Sequence, residues 1–274
     1  MRAFLFILLT VASCQAQIGR SLPFKAASVP PASGSVSNFS LLAFTNNSIP
    51  FGAFCLLWPT NYTTNAGVFT VTDLSTNAWA FTNATLGQIR NNANAAVNNQ
   101  ATLQLAGATT DWLRCKPYNG AATHEVWAVV KVDVALGQVA YLYDGAVGSA
   151  ASRQIIGWDT AGDTSYTNTS MYAGTSTFPA NHFRTNKWQL IVASFQGASS
   201  YMLTNNVTTA TVNPGAGKLD LGMTLFALQN GASAMKGEWA GFAMFNGVLP
   251  STNAGARQQV LGEFTNRFGA SIIQ

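Results

Sequence analysis

Between Leu41 and Phe245 the chain keeps breaking off. Short apolar runs at residues 41–44, 53–58, 67–71, 78–81 and 102–105 are each followed by turns rich in Asn, Thr and Gly. The rhythm continues through 126–134, 139–143, 154–158, 188–195, 201–204, 219–228 and 238–245. Many short strands with polar turns between them indicate an all-β sandwich or barrel.

The strongest segment is residues 124–134 (HEVWAVVKVDV). Val126, Ala128, Val130, Val132 and Val134 share one face at period two, while Glu125, Trp127, Val129, Lys131 and Asp133 share the other. The first face reads as core. The second is mixed, as expected where an outer sheet surface is partly solvated or lines a groove. One helix stands out at the end of the chain. Ser251 or Thr252, after Leu249-Pro250, can cap it. Val260, Leu261, Phe264 and Phe268 give it one apolar side, and Gly269 is a suitable stop.

The first residues do not belong to this fold. Arg2 followed by a short apolar stretch at residues 3–12 (AFLFILLTVA) is too short to span a bilayer and reads as a signal peptide over residues 1–16. Two routes are open at its end. Residues 14–16 (CQA) suit ordinary cleavage before Gln17, whereas residues 11–14 (VASC) resemble a bacterial lipobox that would leave Cys14 as an acylated anchor. Either way the mature chain is expected to be secreted or at the cell surface. Residues 17–36, with the Pro30-Pro31 pair, read as a linker, leaving 37–274 as one β domain with a substantial core. No later run is long enough to form a second membrane span.

Charged residues make up 9% of the chain, against about 25% in ordinary globular proteins. Neutral polar groups must therefore carry solubility, which suits an exported protein that meets other surfaces. The net charge of +4 is spread over separate positions such as Arg90, Arg114, Lys131, Arg153 and Lys187. Nucleic acid is not an expected partner, because a phosphate-tracking surface needs clustered cations. With Cys14 used or removed, Cys55 and Cys115 remain as a pair in an oxidising compartment, where a disulfide is expected and would contribute roughly 4 kcal/mol. The alternative is two separate buried thiols. Six glycosylation sequons begin at Asn38, Asn46, Asn61, Asn83, Asn168 and Asn206.

Residues 126–131 (VWAVVK), 188–200 (WQLIVASFQGASS), 236–247 (KGEWAGFAMFNG) and the terminal 249–269 stretch ending in NRFG resemble laminin-G-like, concanavalin A-like jelly rolls. Asn205-Asn206 stands where secreted bacterial members have an Asn-containing hairpin. The segments at 73–75 and 91–105 look like the family's opening strands, so the likeness covers residues from about 50 to 270. It implies an all-β, two-sheet antiparallel jelly-roll sandwich with a short C-terminal helix. The chain departs from the family at Ala240-Gly241, where members often have Ala-Glu, and Glu238 is left as that strand's only carboxylate.

The fold hosts lectins, adhesion modules, glycosidases and lyases, so the site must decide among them. A glycosidase needs two facing carboxylates, and the glutamates here, Glu125, Glu238 and Glu263, form no E-x-D-x-E strand. The Gln-x-His pattern of alginate lyases is missing at His124 and His182, and no G-x-S-x-G elbow is present. No cofactor is expected, but domains of this resemblance often carry calcium. Asp159 and Asp163 in residues 158–163 (WDTAGD), or else Asp144, are the candidate ligands, with ordinary Asp-Gly or Gly-Asp turns as the favoured reading. Sugar binding asks for an aromatic platform beside polar groups. Glu125, Trp127, Trp158 and Tyr172 are the candidates, with edge packing as the alternative use of those rings. The leading expectation is an exported, non-catalytic module that binds a glycan or a cell-surface protein. The alternatives are a structural surface protein, and a glycoside hydrolase or lyase on the same sandwich.

Overall fold

The computed structural model describes residues 44–46, 49–51, 53–83, 90–133, 139–159, 166–178, 183–204, 207–208, 211–247 and 249–272. All of them lie within the unit Ser40–Gln274. The expected signal peptide with Cys14, the linker, and the Asn205-Asn206 hairpin fall outside the described residues, as do His182 and Asp163.

Two antiparallel sheets form a sandwich. Sheet I runs in the order Val207–Thr208, Tyr201–Thr204, Gln189–Phe195, His124–Val132, Lys236–Asn246, Gln100–Ala106, Arg90–Asn94, with Cys55–Leu57 also pairing on Lys236–Asn246. Sheet II runs Ser176–Thr177, Tyr166–Tyr172, Ile155–Asp159, Val139–Gly145, Met223–Leu225, Leu113–Cys115, Ala80–Asn83, Val68–Thr72, Tyr62–Asn65, with Phe183–Arg184 on its second strand. Period-two alternation sends Val126, Ala128, Val130 and Val132 of the central strand into the space between the sheets, as the sequence pattern predicts. There they meet Phe69, Leu142, Trp158, Leu225 and Phe242.

The other face of the central strand is also largely buried. A second core, on the outside of sheet I, joins Trp127, Val129, Leu190, Val192, Ala243 and Phe245 to Ala256, Val260, Phe264 and Phe268 of the helix Ala254–Phe268. The helix thus adds a third layer over part of the sandwich. Its cap is Asn253, whose side chain accepts from the Ala256 N–H at 3.1 Å. Ser251 and Thr252, the expected caps, lie instead in a 3-10 turn, Pro250–Thr252, that leads into it. Gly269, at φ +87°, ends the helix as expected.

What lets the helix settle is the missing side chain at Gly241. The strand pair registers Val129 with Gly241 and Val130 with Trp239, so Ala240 is the extra residue of a bulge. A Cβ at Gly241 would lie 2.3 Å from the Trp58 ring and 2.7 Å from Phe268. Gly241 is thus the floor beneath two aromatic rings.

The expected disulfide is not formed. Cys55 and Cys115 are buried free thiols. Cys55 is registered on Met244 in sheet I and Cys115 on Met223 in sheet II. Burial pushes the Cys115 thiol up to about 11 and the Cys55 thiol well above its ordinary value. Both act as core side chains.

Candidate functional site

At the end of sheet I that the helix leaves open, the outward side chains turn polar. Lys131 and Glu238 are registered across the central strand pair, and their charged groups meet at 3.1 Å. The other Glu238 oxygen accepts from Asn94 Nδ2 at 2.8 Å and from Thr102 Oγ1 at 3.1 Å. Gly237 makes this apposition possible. Its φ is +142°, and a Cβ there would lie 2.0 Å from the Lys131 carbonyl oxygen.

The turn before Gln189–Phe195 closes one side. Asn186, in the left-handed region at φ +58°, donates its N–H to the Val132 carbonyl at 2.9 Å. Asn tolerates this conformation better than most residues. Its side-chain amide approaches Asp133 at 3.4 Å, and Asp133 pairs with Lys236 at 2.6 Å. The hydrogen bond from Lys236 is the main cause that holds the Asp133 carboxyl below its ordinary range. Trp188 packs partly against the helix-covered core while also lining the open side.

Together these residues shape a solvent-open groove of about 320 Å³, lined by Asn94, Ala96, Lys131, Asn186, Lys187, Trp188 and Ser271. Ligand clefts run from about 300 to 1,000 Å³. An indole beside ammonium and amide groups offers an apolar surface with polar groups around it, which is what an oriented small ligand needs.

The residues singled out from sequence fall elsewhere. Glu125 and Trp127 are sealed under the helix region. Trp127 Nε1 donates to Glu125 at 2.6 Å, the Ser251 N–H reaches the other Glu125 oxygen at 3.3 Å, and the Trp127 ring lies 5.8 Å from Phe264. Burial is the main cause that raises the Glu125 carboxyl, opposed by those hydrogen bonds. The outward parity was right, but a partly solvated face was expected and the helix covers it. Trp158 faces inward and packs on Phe183 at 4.9 Å between the sheets. Neither tryptophan is open to a ligand. Tyr172 is half-buried on sheet II, with the Arg153 guanidinium 5.8 Å from its ring, apart from the other three. The four do not form one site.

For calcium, the Asp159 side chain and Asp163 lie outside the described residues. Asp144 does not suit a cation, because Arg153 grips both its oxygens at 2.8 and 2.7 Å and the Gly145 and Gln229 amides supply further donors. Among the described residues no group of three or more His, Cys, Asp or Glu side chains could hold a metal. His124 is sealed too, between the Ala121 carbonyl and the Tyr143 hydroxyl at 3.1 Å each. Burial lowers it to about 4. Of the sequons, Asn83 is buried with its amide on the Thr110 carbonyl, and Asn61 donates to the Thr72 carbonyl at 2.6 Å.

The groove residues escaped the sequence reading because they come from separate segments of the chain. The available signals were the shared parity of Lys131 with Trp127, the isolated Glu238, and Trp188 at the head of a strand.

No family model and no curated protein sequence matches this chain. Solved structures do resemble it. The sialidase of Trypanosoma rangeli matches with a TM-score of 0.50 at 14% identity, over 77% of this chain and 33% of that one. Domain 4 of AbnA, a GH43 extracellular arabinanase from Geobacillus stearothermophilus, in complex with arabinotriose, matches at 0.46 and 14%, over 62% and 81%. The CBM40 of the Ruminococcus gnavus IT-sialidase, bound to α2,3-sialyllactose, matches at 0.38 and 11%, over 47% and 78%. This chain spans about a third of the trypanosomal sialidase. At such identities the likeness is one of fold, the antiparallel β-sandwich. No described helix is long and apolar enough to cross a membrane.

Proposed function

We propose that this protein is an exported, non-catalytic glycan-binding module whose ligand lies in the groove against Trp188. The observation that carries this reading is the convergence of a half-buried indole with Lys131, Lys187, Asn94 and Asn186 around an open cleft. A pyranose presents an apolar face and a hydroxylated rim, and the indole and the surrounding polar groups complement both.

The available carboxylates argue against hydrolysis. A sandwich glycosidase needs a protonated acid opposite a second carboxylate, both open to substrate. Of the carboxyls that burial raises, Glu125 and Asp73 are enclosed in the protein, and Glu263 stands on the helix Ala254–Phe268. At the groove, Glu238 is tied to Lys131 and Asp133 to Lys236. Asp133 is held in the wrong direction for an acid.

The test is retention of the mature protein on a panel of insoluble polysaccharides, with assay for released sugars. We expect retention without products, and its loss in Trp188→Ala and Lys131→Ala while both variants stay folded. Products released by the wild type but not by Glu238→Gln would replace this reading with a hydrolase. Retention indifferent to both groove variants would move the site elsewhere.

A further inference from the structure

From the groove's hydrogen-bonding groups we infer that its ligand is an anionic glycan, held through a carboxylate or sulfate by the ammonium groups of Lys187 and Lys131. The inference rests on the glycan-binding reading of the same groove and names its substrate class.

Both carboxylates around the groove, and the Asn94 carbonyl oxygen, are already engaged. One Glu238 oxygen takes Lys131, and the other takes Asn94 and Thr102. The Asn94 carbonyl oxygen accepts from the Ala96 N–H at 3.0 Å. Asp133 receives Lys236 on one oxygen and the Asn186 amide on the other. Donors are left over. An ammonium carries three N–H bonds, and Lys131 directs one of them to Glu238. Exposed Lys187 makes no ion pair among the described residues.

The charges lead to the same result. Lys131 cancels Glu238, and Lys236 cancels Asp133, leaving Lys187 as the surplus charge on the groove wall. Other described carboxylates are committed elsewhere, Asp144 to Arg153 and Asp220 to Lys218. A neutral sugar hydroxyl accepts from an ammonium without neutralising its charge. A carboxylate or sulfate only accepts, and each hydrogen bond it receives from an ammonium is charge-assisted. With Trp188 beneath the ring, the anionic substituent has two ammonium groups to reach.

The test titrates polygalacturonate oligosaccharides, their carboxyl-reduced counterparts and sulfated galactan oligosaccharides into wild type, Lys187→Gln and Trp188→Ala. Thermal unfolding serves as the folding control. At least one acidic series should bind about tenfold tighter than the reduced one, the yield of a charge-assisted hydrogen bond. That advantage should shrink as salt rises. The carboxylated and sulfated arms identify which anion is preferred. Lys187→Gln should remove most of the advantage, weakening the acidic series far more than the reduced one.

Equal affinity for acidic and reduced series, both abolished by Trp188→Ala, would overturn the anionic class and leave the groove standing. Acidic binding untouched by Trp188→Ala would overturn the groove itself. Binding of neither acidic series would overturn the inference.

Discussion

Along the strand His124–Val132 the outward side chains change character within a few residues. Glu125, Trp127 and Val129 are sealed beneath the helix region, while Lys131 stands in the open groove. The neighbouring strand Lys236–Asn246 divides at the same place, with Ala243 and Phe245 in the covered core and Glu238 outside it. One sheet face therefore serves two ends. Where its side chains are apolar and Gly241 leaves room for Trp58 and Phe268, the helix docks and adds a core. Where charged pairs replace them, no apolar surface rewards a cover, and the face stays open to a ligand.

The sharpest way to break this division is to place an acid at Gly241. Gly241→Glu would drive a carboxylate into the Trp58 ring and trap it under Phe268. We expect a loss of about 5 kcal/mol, or no cooperative transition at all, from overpacking joined to a buried charge. Urea unfolding measures it. A variant of near wild-type stability would show that the helix is not seated as described.

A pair of tryptophans separates the halves next. Trp127→Ala opens a cavity under the helix and should cost roughly 3–5 kcal/mol. Whatever protein remains folded should keep its affinity for glycan. Trp188→Ala, at the half-buried position, should cost about 1 kcal/mol while reducing glycan affinity at least about tenfold. The division fails if the two variants trade these phenotypes.

The fold was legible because strand and turn signals are local. Alternation across 124–134 gave the inner face, and Val260, Phe264 and Phe268 gave the helix. What covers the outer face is not local. Nothing around Trp127 reveals that residues far downstream fold back over it, so a buried ring read as a sugar platform. The groove was harder still, because Asn94, Lys131, Asn186, Trp188 and Glu238 meet only once the strand order is known. The cysteines misled for the same reason. Compartment and even number argued for a bridge, whereas the structure buries the two as free thiols in the core.

The covered carboxylate gives the next comparison. Burial raises the folded Glu125 carboxyl above its unfolded value. Its favourable contribution is therefore complete below the ordinary carboxylate range and is lost as pH rises through the raised folded value. Relative to Glu125→Gln, which does not ionise, the wild type should lose stability over that rise. Urea unfolding of both across the range reads it. His124, held down to about 4, acts in the opposite sense, since its contribution is lost as pH falls from its ordinary value toward 4. The comparison must therefore be made within the same pH series, where the His124 effect cancels between the two proteins.

The smallest effect belongs to the open half. Asp133 and Lys236 meet at 2.6 Å, but their side chains are 33% and 57% exposed, so water and salt screen the pair. Asp133→Asn should cost no more than about 1 kcal/mol at low salt, and less as salt rises. Its main consequence should be electrostatic. Removing the acid leaves the Lys236 charge uncompensated, so an anionic glycan should bind severalfold more tightly at low ionic strength. Weaker binding would show that Asp133 positions Asn186 and the Trp188 turn rather than merely balancing a charge. A large loss of stability would place the groove's charged pairs among the elements that hold the fold, and would erase the contrast between the covered and open halves.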